Sequence, residues 1–204
     1  KLQNTTSDSF IFNTAVGYGA GAAVTTGVEN TLMGSLAGDA ITDADQNVAV
    51  GVAALGANTV GSRSTAIGTY ALDAQNPASA TNMNNTAVGY DAGGAVTTGT
   101  GNTFVGYAAG DGTDDGINNV AVGYDALSSN CGNDNTSIGN SSLVSCTGAD
   151  NTALGSVSGY EVTSGSNNTF LGHDAGRTGS PGGAITTASN ILSVGDENVA
   201  TANI

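Results

Sequence analysis

Tryptophan is absent from this chain of 204 residues, proline occurs twice, histidine once and cysteine twice. Lysine and arginine together number three (Lys1, Arg63 and Arg177) against 17 acidic residues, a formal net charge of −14. Each shortage closes off a class of function. So negative a surface repels the phosphate backbone, which excludes nucleic-acid binding, and it disfavours anionic bilayers. No apolar run approaches the ~20 residues that a membrane-spanning helix needs, so no membrane insertion by this segment is expected. Collagen needs abundant proline and glycine at every third position, and neither is present. Charge-driven disorder is excluded as well, because charged residues make up only 10% and hydrophobic residues 39%. The chain opens at Lys1 rather than Met, as a processed product or a fragment would.

What the chain does have is glycine, 32 residues of it, and repetition. The stretch NTAVGYGAG at 13–21 returns as NTAVGYDAG at 85–93 and as NTFVGYAAG at 102–110. Frames begin at Asn13, Asn30, Asn47, Ser64, Asn85, Asn102, Asn119, Asn135, Asn151 and Asn168, with a degenerate eleventh at Asn190. The steps are 17, 17, 17, 21, 17, 17, 16, 16, 17 and 22 residues. A fixed short period is the signature of a solenoid. Four columns hold in all ten full copies. The fourth position is always aliphatic, from Val16 to Leu171, and the eighth is always Ala or Ser. The fifth is always glycine: Gly17, Gly34, Gly51, Gly68, Gly89, Gly106, Gly123, Gly139, Gly155 and Gly172. The ninth is Gly (21, 38, 93, 110, 159, 176) or Leu (55, 72, 127, 143).

The unit is too short for two helices with their turns, and a glycine in every copy would weaken each helix by about 1 kcal/mol. N-T-x-Φ-G instead has period two, with Thr and the aliphatic residue on one side of a strand and Asn and the third residue on the other. A second short strand is expected at Val24–Thr26, Val96–Thr98 and Val162–Ser164, each followed by glycine. Two strands and two turns per coil predict an all-β, parallel β-roll of about eleven coils, stacked at ~4.8 Å into a rod of ~50 Å. Stacked Asn13, Asn30, Asn47, Asn85, Asn102, Asn119, Asn135, Asn151 and Asn168 are expected to form an amide ladder. The invariant glycine marks either φ > 0 or a close approach of backbone. Residues 1–12 read as a lead-in, 13–189 as the roll with an insertion near 71–83, and 190–204 as a degenerate last coil with a lead-out.

With the aliphatic column taken as its core, one coil buries too little to offset ordering its residues, at about 1.5 kcal/mol each. Burial between chains is therefore expected, with the third column (Ala15, Ala49, Ala66, Ala87, Ala121, Ala153, but Leu32, Phe104, Phe170) as a packed seam. The repeats NTAVGYGAGAAVTTGVENTLMG and NTAVGYDAGGAVTTGTGNTFVG resemble the head repeats of trimeric autotransporter adhesins. They are still more similar to related repeats in bacteriophage tail fibres and bacterial surface fibres that often carry a C-terminal intramolecular chaperone domain. The resemblance spans about residues 13–195. It implies a left-handed parallel β-roll, a homotrimer about one axis, and an extracellular shaft or head of an adhesive fibre. The partners it implies are further copies of the chain and a glycan or protein receptor on a host surface.

Chemistry-bearing constellations are scarce. His173, the single histidine, shares a column with Tyr18, Tyr90, Tyr107 and Tyr124, with no nucleophile and base to join. Asp39, Asp91, Asp125 and Asp174 are scattered through turns and form no acid–base pair, so no catalytic residue is assigned. The acidic loops GDGTDDG (110–116) and DAITDAD (39–45) match neither calcium-binding pattern and read as solvated turns, so no metal or cofactor is expected. Cys131 and Cys146 fall in adjacent coils, where a cross-coil disulfide, an interchain link and two free thiols all remain open. The insertions around 71–83 and 177–190 bulge from the rod, the first as a ligand loop and the second as a cap. Asn-x-Ser/Thr triplets at Asn4, Asn84, Asn135, Asn140 and Asn167 are expected by composition alone. Alternatives to the fibre are an ice-binding solenoid using the Thr rank (Thr14, Thr31, Thr65, Thr86, Thr103, Thr136, Thr152, Thr169) and a glycan-binding or glycan-degrading tailspike domain.

Overall fold

The computed structural model describes residues 12–180 and 182–196. The lead-in expected before residue 12 and the lead-out after 196 lie outside them. Among the described residues there is no helix. Thirteen short strands follow one another: β1 (Thr14–Val16), β2 (Thr31–Met33), β3 (Val48–Val50), β4 (Gly61–Ser62), β5 (Thr65–Ile67), β6 (Thr81–Asn82), β7 (Thr86–Val88), β8 (Thr103–Val105), β9 (Val120–Val122), β10 (Thr136–Ile138), β11 (Thr152–Leu154), β12 (Thr169–Leu171) and β13 (Leu192–Val194). All but β4 and β6 form one parallel sheet of eleven strands in chain order, and β4 pairs with β6 in a second, two-stranded sheet. The fold is a parallel β-solenoid. Columns lie over one another as the period requires: Thr14 pairs with Thr31, Ala15 with Leu32 and Val16 with Met33, and so on along the sheet. The last frame shifts by one residue. Leu192, not Ile191, pairs with Thr169, so the final coil begins at Ile191 and not at Asn190.

The expected second strand does not form. Residues 25–26, 97–98 and 163–164 are bends, though N–H groups there still reach the next coil, as Thr25 to the Thr42 carbonyl (3.0 Å) and Thr163 to that of Thr186 (2.7 Å). Threonine's β-branching favours extended backbone, but here the hydroxyl competes: Thr25, Thr147 and Thr163 bond carbonyls one coil on.

The two faces of each strand are also reversed from the expectation. The third column is the core. Leu32, Ala49, Ala66, Ala87, Phe104, Ala121, Ser137, Ala153 and Phe170 are buried within the chain, and the aliphatic fourth column points out. The cause is room. The interior takes Ala or Ser, and a larger residue only where ninth-column glycines make room, so a column with a sizeable aliphatic side chain in every coil has to lie outside. The third column is therefore an intrachain core and not a seam between chains.

Its large members are accommodated by the ninth column. Leu32 lies between Gly21 and Gly38, where an added Cβ would come within 2.8 Å of the Leu32 side chain in each case. Phe104 is likewise flanked by Gly93 and Gly110, and Phe170 by Gly159 and Gly176. Where the third column is Ala or Ser both in a coil and in the next, ninth-column Leu55, Leu72, Leu127 and Leu143 fill the space, fully buried. These leucines hold φ of 55, 50, 56 and 48°. A left-handed backbone costs an L-residue roughly 1–2 kcal/mol, which burying a leucine at ~2 kcal/mol offsets.

The fifth column needs glycine on two counts. Gly17 to Gly155 hold φ between +131 and +145°, and an added Cβ would fall within 3.0 Å of the next coil's glycine carbonyl. The approaching backbone is the next coil of the same chain.

The Asn column is buried and stacked, but its bonds run mainly to backbone. Oδ1 accepts the N–H of the residue heading the next coil: Asn30 to Asn13 (2.7 Å), Asn102 to Asn85 (2.9 Å), Asn119 to Asn102 (2.8 Å). Except in Asn119, Nδ2 donates to a carbonyl near the end of the same coil, mostly 14 residues on, as Asn102 to Gly116 (2.8 Å), and so ties that end back to the coil's start. Direct amide-to-amide bonds join Asn47 to Asn30, Asn135 to Asn119 and Asn151 to Asn135. Asn119, heading a 16-residue coil, has a buried Nδ2 without a partner. At Ser64 no amide is available, and Gln75 supplies one. Its buried Oε1 accepts from Ser64 Oγ and Asn85 Nδ2, both at 3.0 Å.

Two outcomes follow. Asn102→Ala strands the Gly116 carbonyl and the Asn119 N–H in a buried site, a loss of about 2–4 kcal/mol in chemical denaturation. Gly110→Leu and Phe104→Ala each destabilise, whereas the pair recreates the Ala–Leu pattern of Ala49 and Leu55 and costs at least ~1 kcal/mol less than the sum. Strict additivity would contradict this size-matching account.

Candidate interaction surface

Pointing the third column inward leaves positions two and four facing out along the sheet. The fourth column is a continuous apolar stripe: Val16 is 55% exposed, Met33 46%, Ile67 39%, Leu154 52% and Val194 39%. Beside it run Thr14, Thr31, Val48, Thr65, Thr86, Thr103, Val120, Thr136, Thr152 and Thr169, mostly half-exposed. Neither column contains a charge. Isolated exposed aliphatics are ordinary, but a ladder of them one strand apart forms a patch of the kind that marks an interaction site. At eleven strands the stripe is about 50 Å long.

Polar ranks border it. Immediately before each coil's head comes a residue with positive φ, including Glu29, Gln46, Arg63, Asn118, Asp134, Asp150, Asn167 and Asn190. Several bond to one another along the rod: Gln46 Nε2 to Glu29 (2.8 Å), Arg63 Nε to Gln46 (3.0 Å), Asn167 Nδ2 to Asn190 (2.7 Å). Asn190 thus belongs to this rank, which explains why it imitates the head of a frame. Immediately after the invariant glycine come the tyrosines. Tyr90 and Tyr107 are stacked with centroids 5.3 Å apart, and Tyr107 and Tyr124 at 5.1 Å, while Tyr70, two positions after Gly68 and so outside this column, meets Tyr90 edge-on.

The turn acids are arranged more closely than the sequence indicated. Burial pushes the Asp111 carboxyl up to about 6, with Asp91 and Asp125 adding repulsion, against partial relief from the backbone N–H groups of Asp111 and Gly112. Its Oδ1 is buried without a partner. Asp73 is raised by burial and then by Asp91 and Asp39, and Asp91 by burial. Carboxylates of the two acidic loops serve as links between coils. Asp43 accepts from Thr25 and Thr26, Asp45 from the Val28 N–H (2.8 Å), and Asp114 from the Thr97 hydroxyl. Among the described residues no group of three or more His, Cys, Asp or Glu is placed to hold a metal ion.

His173 is exposed, with Nδ1 3.3 Å from Asp174 and 3.9 Å from Asp196. Nearby, Arg177 bonds Asp174 (2.5 Å) and lies over the Tyr160 ring. Cys131 and Cys146 are free, buried thiols and not a disulfide. Each sulfur has a polar neighbour of its own, Thr113 Oγ1 at 3.2 Å for Cys131 and Asn151 Nδ2 at 3.4 Å for Cys146. Burial raises both thiols, Cys131 to about 11. The first insertion folds back on the rod: Pro77 and Met83 are buried and β6 pairs with β4, while Asn76, Ala78–Ala80 and Asn82 are exposed. After the second insertion β13 rejoins the sheet. No described helix is long and apolar enough to cross a membrane. No family model, curated protein or solved structure matches the chain.

The acid row sets a pH dependence. A carboxyl raised in the fold from its ordinary 3.8 binds its proton more tightly when folded. Its stabilising share is complete below pH ~4 and is lost as pH rises through about 6. Melting at pH ~5 should therefore exceed that at pH ~7.5, and Asp111→Asn should raise the higher-pH value and narrow the gap. A melting temperature that falls on acidification over this window, with no gain from the substitution, would contradict the assignment.

Proposed function

We propose that the chain is a shaft or head segment of an adhesive fibre, a homotrimeric left-handed β-roll that presents or carries a receptor-binding surface outside a cell or virion. The observation that carries this reading is the uncharged aliphatic stripe along the whole sheet. On a chain of net charge −14, that face is the one where copies can approach without facing carboxylates, and joining it removes apolar area at about 25 cal/mol per Å². Copies set about one axis would each turn this stripe inward, leaving the tyrosines, acidic turns and insertions for a host glycan or protein. The three-fold state, the handedness and the extracellular setting come from the likeness of the N-T-x-Φ-G repeats to adhesin and tail-fibre repeats. The rod then acts by stiffness and reach and not by chemistry.

Analytical ultracentrifugation of the full chain tests this, with three copies expected at micromolar concentration. Val105→Asp, which puts a charge into the stripe at an exposed position, should release monomers that retain the β-sheet circular dichroism. A wild-type chain that stays monomeric at high concentration would end the fibre reading. One observation favours a second reading. The Thr rank lies on the same outward face as the aliphatic column, a flat mixed hydroxyl–methyl array that could order water as ice does. Thermal hysteresis in the monomeric protein, abolished by Thr103→Lys, would select ice binding over self-association.

A further inference from the structure

The four tyrosines of the central coils do not all meet in the same way. Tyr90, Tyr107 and Tyr124 form a parallel stack, with interplanar angles of 9° and 8° at 5.3 and 5.1 Å, whereas Tyr70 meets Tyr90 at 88° and 6.0 Å. The three stacked rings are each about half exposed, at 47, 50 and 51%. Their backbones are pinned. The Tyr90 carbonyl accepts from the Ala108 N–H (2.9 Å), the Tyr107 carbonyl from Asp125 (3.0 Å) and the Tyr124 carbonyl from Ser141 (2.8 Å). Equivalent rings are thus held side by side by the same ladder that stacks the coils, with access to solvent and to small oxidants.

We propose that this stack is an oxidative cross-linking site, at which a peroxidase-type one-electron oxidant using hydrogen peroxide joins Tyr107 covalently to Tyr90 or Tyr124. In the step, each of two neighbouring phenols gives up one electron and its hydroxyl proton. The two radicals form a carbon–carbon bond between ring carbons ortho to the hydroxyls. The hydrogens on those carbons move to the oxygens and restore both phenols. The two electrons and two protons reduce one hydrogen peroxide to two waters, its O–O bond breaking. Coupling of free tyrosyl radicals must await an encounter, while here the partner ring is already in place, which favours the neighbour over any distant tyrosine. The link staples two successive coils and closes a loop of 17 residues. This site stands on its own geometry and does not rest on the fibre reading.

The test treats the full-length chain with a peroxidase and hydrogen peroxide and follows dityrosine fluorescence, chain mass and cross-linked peptides. The expected result is an intact chain lighter by two hydrogens, with Tyr90–Tyr107 and Tyr107–Tyr124 links exceeding any link to Tyr18 or Tyr160 by roughly tenfold. Tyr107→Phe, which keeps a ring in the stack but no phenol, should remove both links, and Tyr18→Phe should leave them unchanged. In denaturant the preference should vanish. Dityrosine formed only between chains, links spread evenly over all tyrosines, consumption of the tyrosines without dityrosine, or an unchanged yield in Tyr107→Phe would each overturn the proposal.

Discussion

The bond from each Asn Oδ1 to the N–H that opens the next coil, together with the bond that all but Asn119 make from Nδ2 to the carbonyl that closes their own coil, holds the solenoid in register. One side chain thereby satisfies two buried backbone groups that the sheet ladder does not reach, one axial and one around the coil. Leaving a buried donor or acceptor unmade costs about 1–3 kcal/mol, so repetition along the column makes register expensive to lose. Where Ser64 interrupts the column, Gln75 substitutes only in part: its Oε1 bridges Ser64 Oγ and Asn85 Nδ2, while its own buried Nε2 has no partner.

Around that clamp, the core is governed by volume more than by hydrophobicity. A flat coil has little interior, and the interior is shared between the third and ninth columns. A phenylalanine in one requires glycine in the other, in its own coil and the one before, and an alanine permits leucine. The glycines of the fifth column serve a different purpose, letting backbone approach backbone. Three kinds of glycine or leucine choice thus encode how closely adjacent coils may lie.

Much of this was legible in the sequence. The period, ten of the eleven frame heads and the parallel stacking follow from the columns alone. Which side of the strand is buried did not, because alternation defines two faces without saying which is inside. The decisive quantity, the width of the coil, depends on turns whose positive-φ residues (Leu36, Ala53, Tyr70, Leu55, Leu72) carry no glycine signature. Val24–Thr26 has a strand's β-branching, but the hydroxyl's bond to the next coil, which decides its conformation, leaves no mark in the local sequence. Asn190 resembled a frame head because asparagine also suits the left-handed position just before it. The tyrosine column was visible, but ring stacking is set by side-chain angles that spacing does not fix. Gln75 and the Asp111 environment depend on neighbours a coil away, beyond any local motif.

The bypass at residues 76–83 leaves strands β5 and β7 paired as though nothing had been inserted, Thr65 beside Thr86 and Ile67 beside Val88. Because Asn47 and Asn85 fasten the windings on either side, additional chain can leave and re-enter between them without disturbing either. Such an architecture separates what must be kept from what is free to vary. Lineages could exchange whole loops on its flank, trading one target for another, while the rod beneath stayed the same length and stiffness.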